Sequence, residues 1–265
     1  MEKASRFRVA VCQLRVSHDT EANFRKIVDS LADAKAAGAD IAVLPECAVS
    51  GYPAYNSDKS ATLPLDLIES LNRRLPEEAH RLGIACVVGT VVRVGDKLRN
   101  SALVIDEDGN LLGRADKLHL IASDVPYFEP GDELRTFSWH GVEIGVLVCY
   151  DIRFPEPFRI LKQMGAEAVF VPLNACGGAT WKVPVMEATF RTRAAENVYH
   201  VIAANAAGPL QMCVSRVCDP DGLSLAAANQ DMEEIIYADI NLGQSKSAIY
   251  QDRRVDMFKV SLHVP

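Results

Sequence analysis

No apolar run in this 265-residue chain approaches the ~18 residues that a membrane-spanning helix needs, so no membrane partner is expected. A basic stripe is missing too. With 28 lysines and arginines against 35 aspartates and glutamates, the net charge is -7, and the electrostatic footprint of a nucleic-acid binder is absent. There is no linker, low-complexity run or internal repeat, so residues 1–265 read as a single domain. The opening Met1-Glu-Lys-Ala-Ser-Arg-Phe-Arg8 holds no signal-peptide core, and a cytoplasmic location is expected. The seven cysteines are odd in number and contain no C-x-x-C pair; Cys12, Cys86, Cys213 and Cys218 read as strand core in a reducing compartment. Serine-hydrolase (G-x-S-x-G), zinc-protease (H-E-x-x-H), Walker and dinucleotide (G-x-G-x-x-G) motifs are all missing. His18, His80 and His140 have no metal-ligand spacing, and no metal or cofactor is expected.

What the chain does have is 49% hydrophobic residues arranged as short buried runs. Phe7–Leu14, Ile41–Leu44, Ile84–Val94, Leu98–Ile105, Ala168–Leu173, Val198–Asn205, Met212–Val217 and Glu234–Ile240 read as strands, with a further short strand from Leu111 to Asp116. Leu134–Trp139 and Val142–Val148 form a hairpin across His140-Gly141. Helical spacing predicts helices from Asp19 to Ala37, Leu65 to Arg81 (broken at Pro76), Pro155 to Met164 and Trp181 to Glu196, with a short one starting at Asn241. The loop from Cys47 to Thr62, with Gly51, Tyr52-Pro53 and Tyr55-Asn56, reads as a pocket wall. Crossovers mixed with hairpins point to an α/β fold, a mixed sheet with helices outside, in one or two sheets.

Three strand ends carry reactive side chains: Glu46, Lys117 and Cys149. A carboxylate can take a thiol proton and later activate water. A buried ammonium can hold a developing oxyanion and favour a thiolate. The cysteine would then attack a carbonyl or nitrile carbon and form a covalent intermediate that water releases. Each residue alone has an ordinary reading as rim charge, surface lysine or core thiol. His119 is the best histidine for a cysteine–histidine pair, but a hydrogen-bonded structural imidazole is the preferred reading. Arg191 and Arg193 on the 181–196 helix could recognise a substrate carboxylate, but an ion pair with Glu187 or Glu196, or a solvated helix face, is the preferred reading for either one.

Val43-Leu-Pro-Glu46, Asp116-Lys117-Leu-His119-Leu and Cys149-Tyr-Asp-Ile-Arg-Phe-Pro-Glu156 resemble, in order and separation, the three motifs of the nitrilase, or carbon–nitrogen hydrolase, superfamily. Asn100-Ser-Ala-Leu, Phe128-x-Pro-Gly131 and Arg193-Ala-x-Glu196-Asn197 fit as well. The resemblance implies a four-layer αββα sandwich of two mixed sheets, pairing through its helical faces into a homodimer or larger homo-oligomer. It implies Cys149 as nucleophile, Glu46 as general base, Lys117 as electrostatic stabiliser and the Tyr150 N–H as an oxyanion donor. It also implies a second acid; Asp124 stands where a glutamate is usual. Tyr52, Tyr127, Asn174, Ala175 and Trp181 are pocket candidates. The compact chain is most similar to amidase and N-carbamoyl-amine hydrolase branches, acting on a small-molecule amide. Nitrile hydrolysis, amide transfer to a partner and a non-catalytic interaction protein are the alternatives.

Overall fold

Alternate residues of the first strand, β1 (Arg6–Gln13), are buried on opposite faces. Phe7, Val9 and Val11 enter one apolar cluster, while Ala10 and Cys12 enter another. A strand buried on both faces needs a layer on each side. That pattern is the origin of the sandwich. The computed structural model describes residues 4–53, 62–243 and 245–262. Tyr55 and Asn56 of the expected pocket wall lie outside the described residues.

In chain order β1 is followed by α1 (Thr20–Ala36), β2 (Ile41–Val43), α2 (Leu65–Leu82), β3 (Ala85–Val94), β4 (Lys97–Ile105) and β5 (Leu111–Asp116). Next come β6 (Thr136–Trp139), β7 (Val142–Val146), α3 (Pro155–Gln163), β8 (Ala168–Leu173), α4 (Val183–Asn197), β9 (His200–Asn205), β10 (Arg216–Cys218), β11 (Ser224–Ala227) and β12 (Glu234–Asn241). One sheet has the order β12-β1-β2-β3-β4-β5, the other β11-β10-β9-β8-β7-β6. Both are mixed: β1-β2-β3 and β7-β8-β9 run parallel, and the outer pairs run antiparallel. The sheets meet through Val9, Val43, Val87, Ile144, Phe170 and Ile202. Phe24, Ile27 and Leu31 of α1 and Leu71 and Leu75 of α2 cover the first sheet. Phe158 and Leu161 of α3 and Met186, Phe190 and Ala194 of α4 cover the second. The result is the αββα sandwich.

Four local expectations differ from the structure. Helix α2 runs unbroken through Pro76, because Ile68, Leu71, Leu75 and Ala79 bury one continuous stripe across it; that burial outweighs the ~3 kcal/mol cost of an interior proline. The expected strand Met212–Val217 contracts to Arg216–Cys218. There Cys213 gives its carbonyl to the Asn205 side chain, and Ser215 gives its N–H to Gln13, instead of to a ladder. Asn241 ends β12 opposite Arg6 instead of opening a helix, and Leu242 N–H continues the pairing to Ser5. Finally, β11 went unread because it is a short edge strand with almost no buried residue to pattern.

Candidate active site

Glu46, Lys117 and Cys149 all follow strands: β2, β5 and β7, respectively. Two sheets packed face to face bring those ends to one edge. Glu46 sits in a tight turn in which Cys47 has φ 53°. Gly89 of β3 makes room for that turn, since a Cβ there would lie 2.1 Å from the Pro45 carbonyl oxygen and 2.7 Å from Glu46 Cα. The Glu46 N–H donates to Leu173 O (3.2 Å) and the Asn174 N–H donates back to Glu46 Oε2 (3.0 Å), so the two sheets are tied together at the base itself.

The Lys117 backbone is held from both sides. Its N–H donates to Asn100 O (2.8 Å), and its carbonyl accepts from Gly131 N (2.7 Å). Asp116 and Gly131 are packed so closely that a Cβ on Gly131 would stand 2.8 Å from Asp116 O, which accounts for glycine in the Phe128-x-Pro-Gly131 segment. Lys117 Nζ lies 2.8 Å from Glu46 Oε1 and 2.8 Å from Asp124 Oδ2. All three side chains are at most 1% exposed. Burial alone would lower the ammonium's pKa, but Glu46, Cys149 and Asp124 around it raise it above the ordinary lysine value, so Lys117 stays charged. Glu46 Oε1 also accepts from Asn100 Nδ2 (2.7 Å). Asp124 accepts from the Tyr52 hydroxyl and from Ile121 N (3.1 Å). Burial, with Glu46 behind it, raises the Tyr52 phenol far above its usual value, which keeps it a donor.

Cys149 opens a 3-10 turn, Cys149–Arg153, with φ 47°, a left-handed conformation that a non-glycine residue adopts only where its surroundings enforce it. The Glu46 carboxylate and the Asn174 N–H lie beside the thiol. Burial and then Glu46 push its pKa well up, and Lys117 pulls against them. The resting sulfur is therefore a thiol, with a carboxylate beside it. The Tyr150 N–H, second in the turn, has no acceptor among the described residues and is free to bind an oxyanion.

A cavity of about 260 Å³ opens over the sulfur, lined by Tyr52, Tyr150, Asn174 and Ala175, together with Ile121, Arg153, Cys176, Lys182, Met186 and Met212. Two expected pocket residues are elsewhere. Tyr127 packs with Phe128, Leu98 and Val91 in a small cluster behind Tyr52. Trp181 is 71% exposed, and its neighbour Lys182 lines the cavity in its place. His119 stacks on Phe154 (3.8 Å between centroids, 15° apart) with Nδ1 on Asp151 (2.8 Å), as a structural imidazole. Arg193 pairs with Glu196 (3.0 Å), and Arg191 Nε donates to Gly222 O (2.8 Å).

Sequence reasoning missed the residues that hold these in place. Asn205, fully buried at the end of β9, accepts from Ala175 N (3.0 Å) and donates to Gln211 (3.0 Å) and Cys213 O (2.8 Å). Gln211 in turn donates to Asn174 Oδ1 (3.2 Å). Only the strand-end position of Asn205 was available as a signal.

The Carbon-nitrogen hydrolase family profile matches residues 8–250. The chain belongs to the carbon–nitrogen hydrolase family. It is 30% identical to omega-amidase NIT2 of Homo sapiens over 283 residues, covering 98% of this chain and 99% of that protein. It is 28% identical to a nitrilase of Pyrococcus abyssi, over 91% and 94% of the two chains. Among solved structures, an amidase from Nesterenkonia sp. superposes with a TM-score of 0.82 at 27% identity, over 97% and 96% of the chains. A glutamate-to-glutamine variant of that amidase carries the acetamide moiety of fluoroacetamide covalently on its active-site cysteine.

Proposed function

We propose that this chain is a cysteine amidohydrolase whose nucleophile is Cys149, whose general base is Glu46 and whose oxyanion site is Lys117 with the Tyr150 N–H. The observation that carries this reading is a thiol at the wall of one cavity, with a buried carboxylate–ammonium pair acting on it from behind. Support comes from the family match and from the amidases among the similar proteins.

Glu46 takes the thiol proton as sulfur attacks the amide carbon, and the carbonyl oxygen becomes an alkoxide held by Lys117 and Tyr150 N–H. Collapse breaks the C–N bond, and the leaving nitrogen takes the proton back from Glu46 and departs as ammonia or amine. Water then attacks the thioester, giving its proton to Glu46. Collapse of the second intermediate releases a carboxylic acid, and the proton returns to sulfur. Asp124 holds Lys117 in position through their 2.8 Å contact.

Arg153 and Lys182 line the cavity, and no carboxylate among the described residues pairs with either; Arg153 Nη1 instead donates to the Met186 sulfur (3.2 Å). The substrate that fits is a small amide bearing a carboxylate away from the scissile bond. A panel of neutral amides, carboxylate-bearing amides, N-carbamoyl amines and nitriles, read by ammonia release, tests this. Carboxylate-bearing amides should be turned over fastest, with no turnover by folded Cys149→Ala. Activity in that variant would end the reading, and a preference for nitriles would reassign the substrate. A homo-oligomeric, cytoplasmic enzyme is part of the same proposal. The free cysteines Cys12, Cys47, Cys86 and Cys213, all buried, suit a reducing compartment, and the α3–α4 face exposes Met164 and Val185. Light scattering on the purified chain tests the assembly.

A further inference from the structure

Asp151 stands two residues beyond the nucleophile, wholly buried, and no step of the chemistry above uses it. Its Oδ2 accepts from Val148 N (3.1 Å) and Leu118 N (3.2 Å), and its Oδ1 accepts from His119 N (2.8 Å) and meets His119 Nδ1 (2.8 Å). Among the described residues no lysine or arginine pairs with it. Val148 immediately precedes Cys149, and Leu118 immediately follows Lys117. One oxygen atom therefore joins the backbone at the nucleophile to the backbone at the oxyanion stabiliser. These segments come from different sheets, β7 and β5, and no strand ladder links them.

We propose that Asp151 is a positioning residue: it sets the distance between the Cys149 sulfur and the Lys117 ammonium by clamping the two strand ends together. This rests on the roles given above to Cys149 and Lys117. An Asp151–His119 proton-relay pair serving Cys149 is the competing arrangement. The geometry opposes it, because His119 lines a separate hollow with Leu118, Phe154 and Pro157, while the carboxylate acting on the thiol is Glu46.

Asp151→Asn keeps the size but changes the hydrogen bonding. On the Oδ2 side the amide NH₂ would face two backbone donors, Val148 N and Leu118 N; on the Oδ1 side it would face the His119 N–H, with His119 Nδ1 able to accept from it only in the other tautomer, so either placement sets at least one donor against a donor. The experiment reads kcat and KM on an amide that the wild type hydrolyses, binding of that amide in a Cys149→Ala background, and the rate of iodoacetamide alkylation at Cys149. A fall in kcat of about 10²-fold is expected, the scale of a misplacement near 1 Å, with KM and binding within about threefold. Alkylation should slow as Lys117 loses its hold on the thiolate. His119→Phe should keep kcat within about threefold. The proposal is overturned if folded Asp151→Asn keeps a near-normal kcat, if binding falls as far as kcat, or if His119→Phe loses as much as Asp151→Asn. Should Asp151→Asn not fold, Asp151→Ser, which keeps one acceptor and leaves room for water, is read by the same criteria. A wild type inert toward every amide would refute the hydrolase reading, and the alkylation rates would still decide whether Asp151 positions the sulfur against Lys117.

Discussion

Replacing Glu46 by glutamine should move two properties of Cys149 in opposite directions. In the folded protein the Glu46 carboxylate lies beside the thiol, and after burial it is the strongest influence raising the thiol's pKa. Two unit charges about 4 Å apart interact by about 4 kcal/mol at an effective dielectric near 20. Removing the carboxylate's charge removes a repulsion that acts only on the thiolate, so the thiol titrates at lower pH. Lys117 remains charged against Asp124 and still favours the thiolate. The glutamine variant should therefore be alkylated at Cys149 at lower pH than the wild type. Amide turnover should fall by roughly 10²- to 10⁴-fold, the usual worth of a positioned general acid–base group, because nothing then carries a proton to the leaving nitrogen or from water.

The structure also fixes how glutamine must sit. Oε1 of Glu46 accepts from both Lys117 and Asn100 Nδ2, so the amide oxygen has to take that side. The NH₂ group then faces the Asn174 N–H, which loses its acceptor, at a cost of about 1–3 kcal/mol. Melting should be measured first and the kinetics run well below it. The assay pairs the pH dependence of iodoacetamide alkylation, followed at the Cys149 peptide by mass, with ammonia release from the best amide. An unchanged or raised alkylation midpoint would refute the charge argument, and turnover within a few-fold of wild type would remove Glu46 as the base.

Asp124→Asn should lower kcat about 10²-fold together with the melting temperature, since Lys117, Tyr52 and Ile121 N all direct donors at that buried carboxylate. Asp124→Glu restores the charge but adds a methylene to an enclosed site, a cost of about 1–3 kcal/mol, so its recovery of kcat should be partial; calorimetry beside kcat separates charge from fit. His200 supplies a pH prediction. Burial holds its pKa down to about 4 against 6.5. A depressed histidine stabilises the fold fully above pH 6.5, and that stability is lost as pH falls from 6.5 toward 4, where the unfolded chain binds the proton and the folded one does not. His200→Gln should show a shallower drop in melting temperature between pH 7 and pH 4.5 than the wild type.

How much of this was legible follows from the range over which each signal acts. Strands buried on both faces announce themselves by composition, and Glu46 and Cys149 could be found because each follows such a run; Lys117 follows β5, a short strand with no buried residue, and was the weaker signal. Pro76 misled because its local cost is fixed, while the stripe that outweighs it depends on burial four residues either side. Trp181 and Tyr127 misled for a related reason: an aromatic in a loop is equally suited to a pocket wall, to a surface or to a small core, and only packing decides.

The support of the site is of another kind. Glu46 takes its partners from 54, 71 and 128 residues away, at Asn100, Lys117 and Asn174. None of those separations has a period, and each pairing exists only once two sheets have packed. Asp151 shows the consequence most clearly. Within its own segment it looks like the polar opening of a helical turn beside the nucleophile. Its other donors, Leu118 N and His119 N, lie 33 and 32 residues earlier, on the far sheet's last strand end. A catalytic side chain must be a particular chemical type, so sequence can nominate it. A group that holds backbone N–H donors meets a demand any sequence can make, because every non-proline residue has that donor. The residues that position this site are thus hidden by the ordinariness of what they bind.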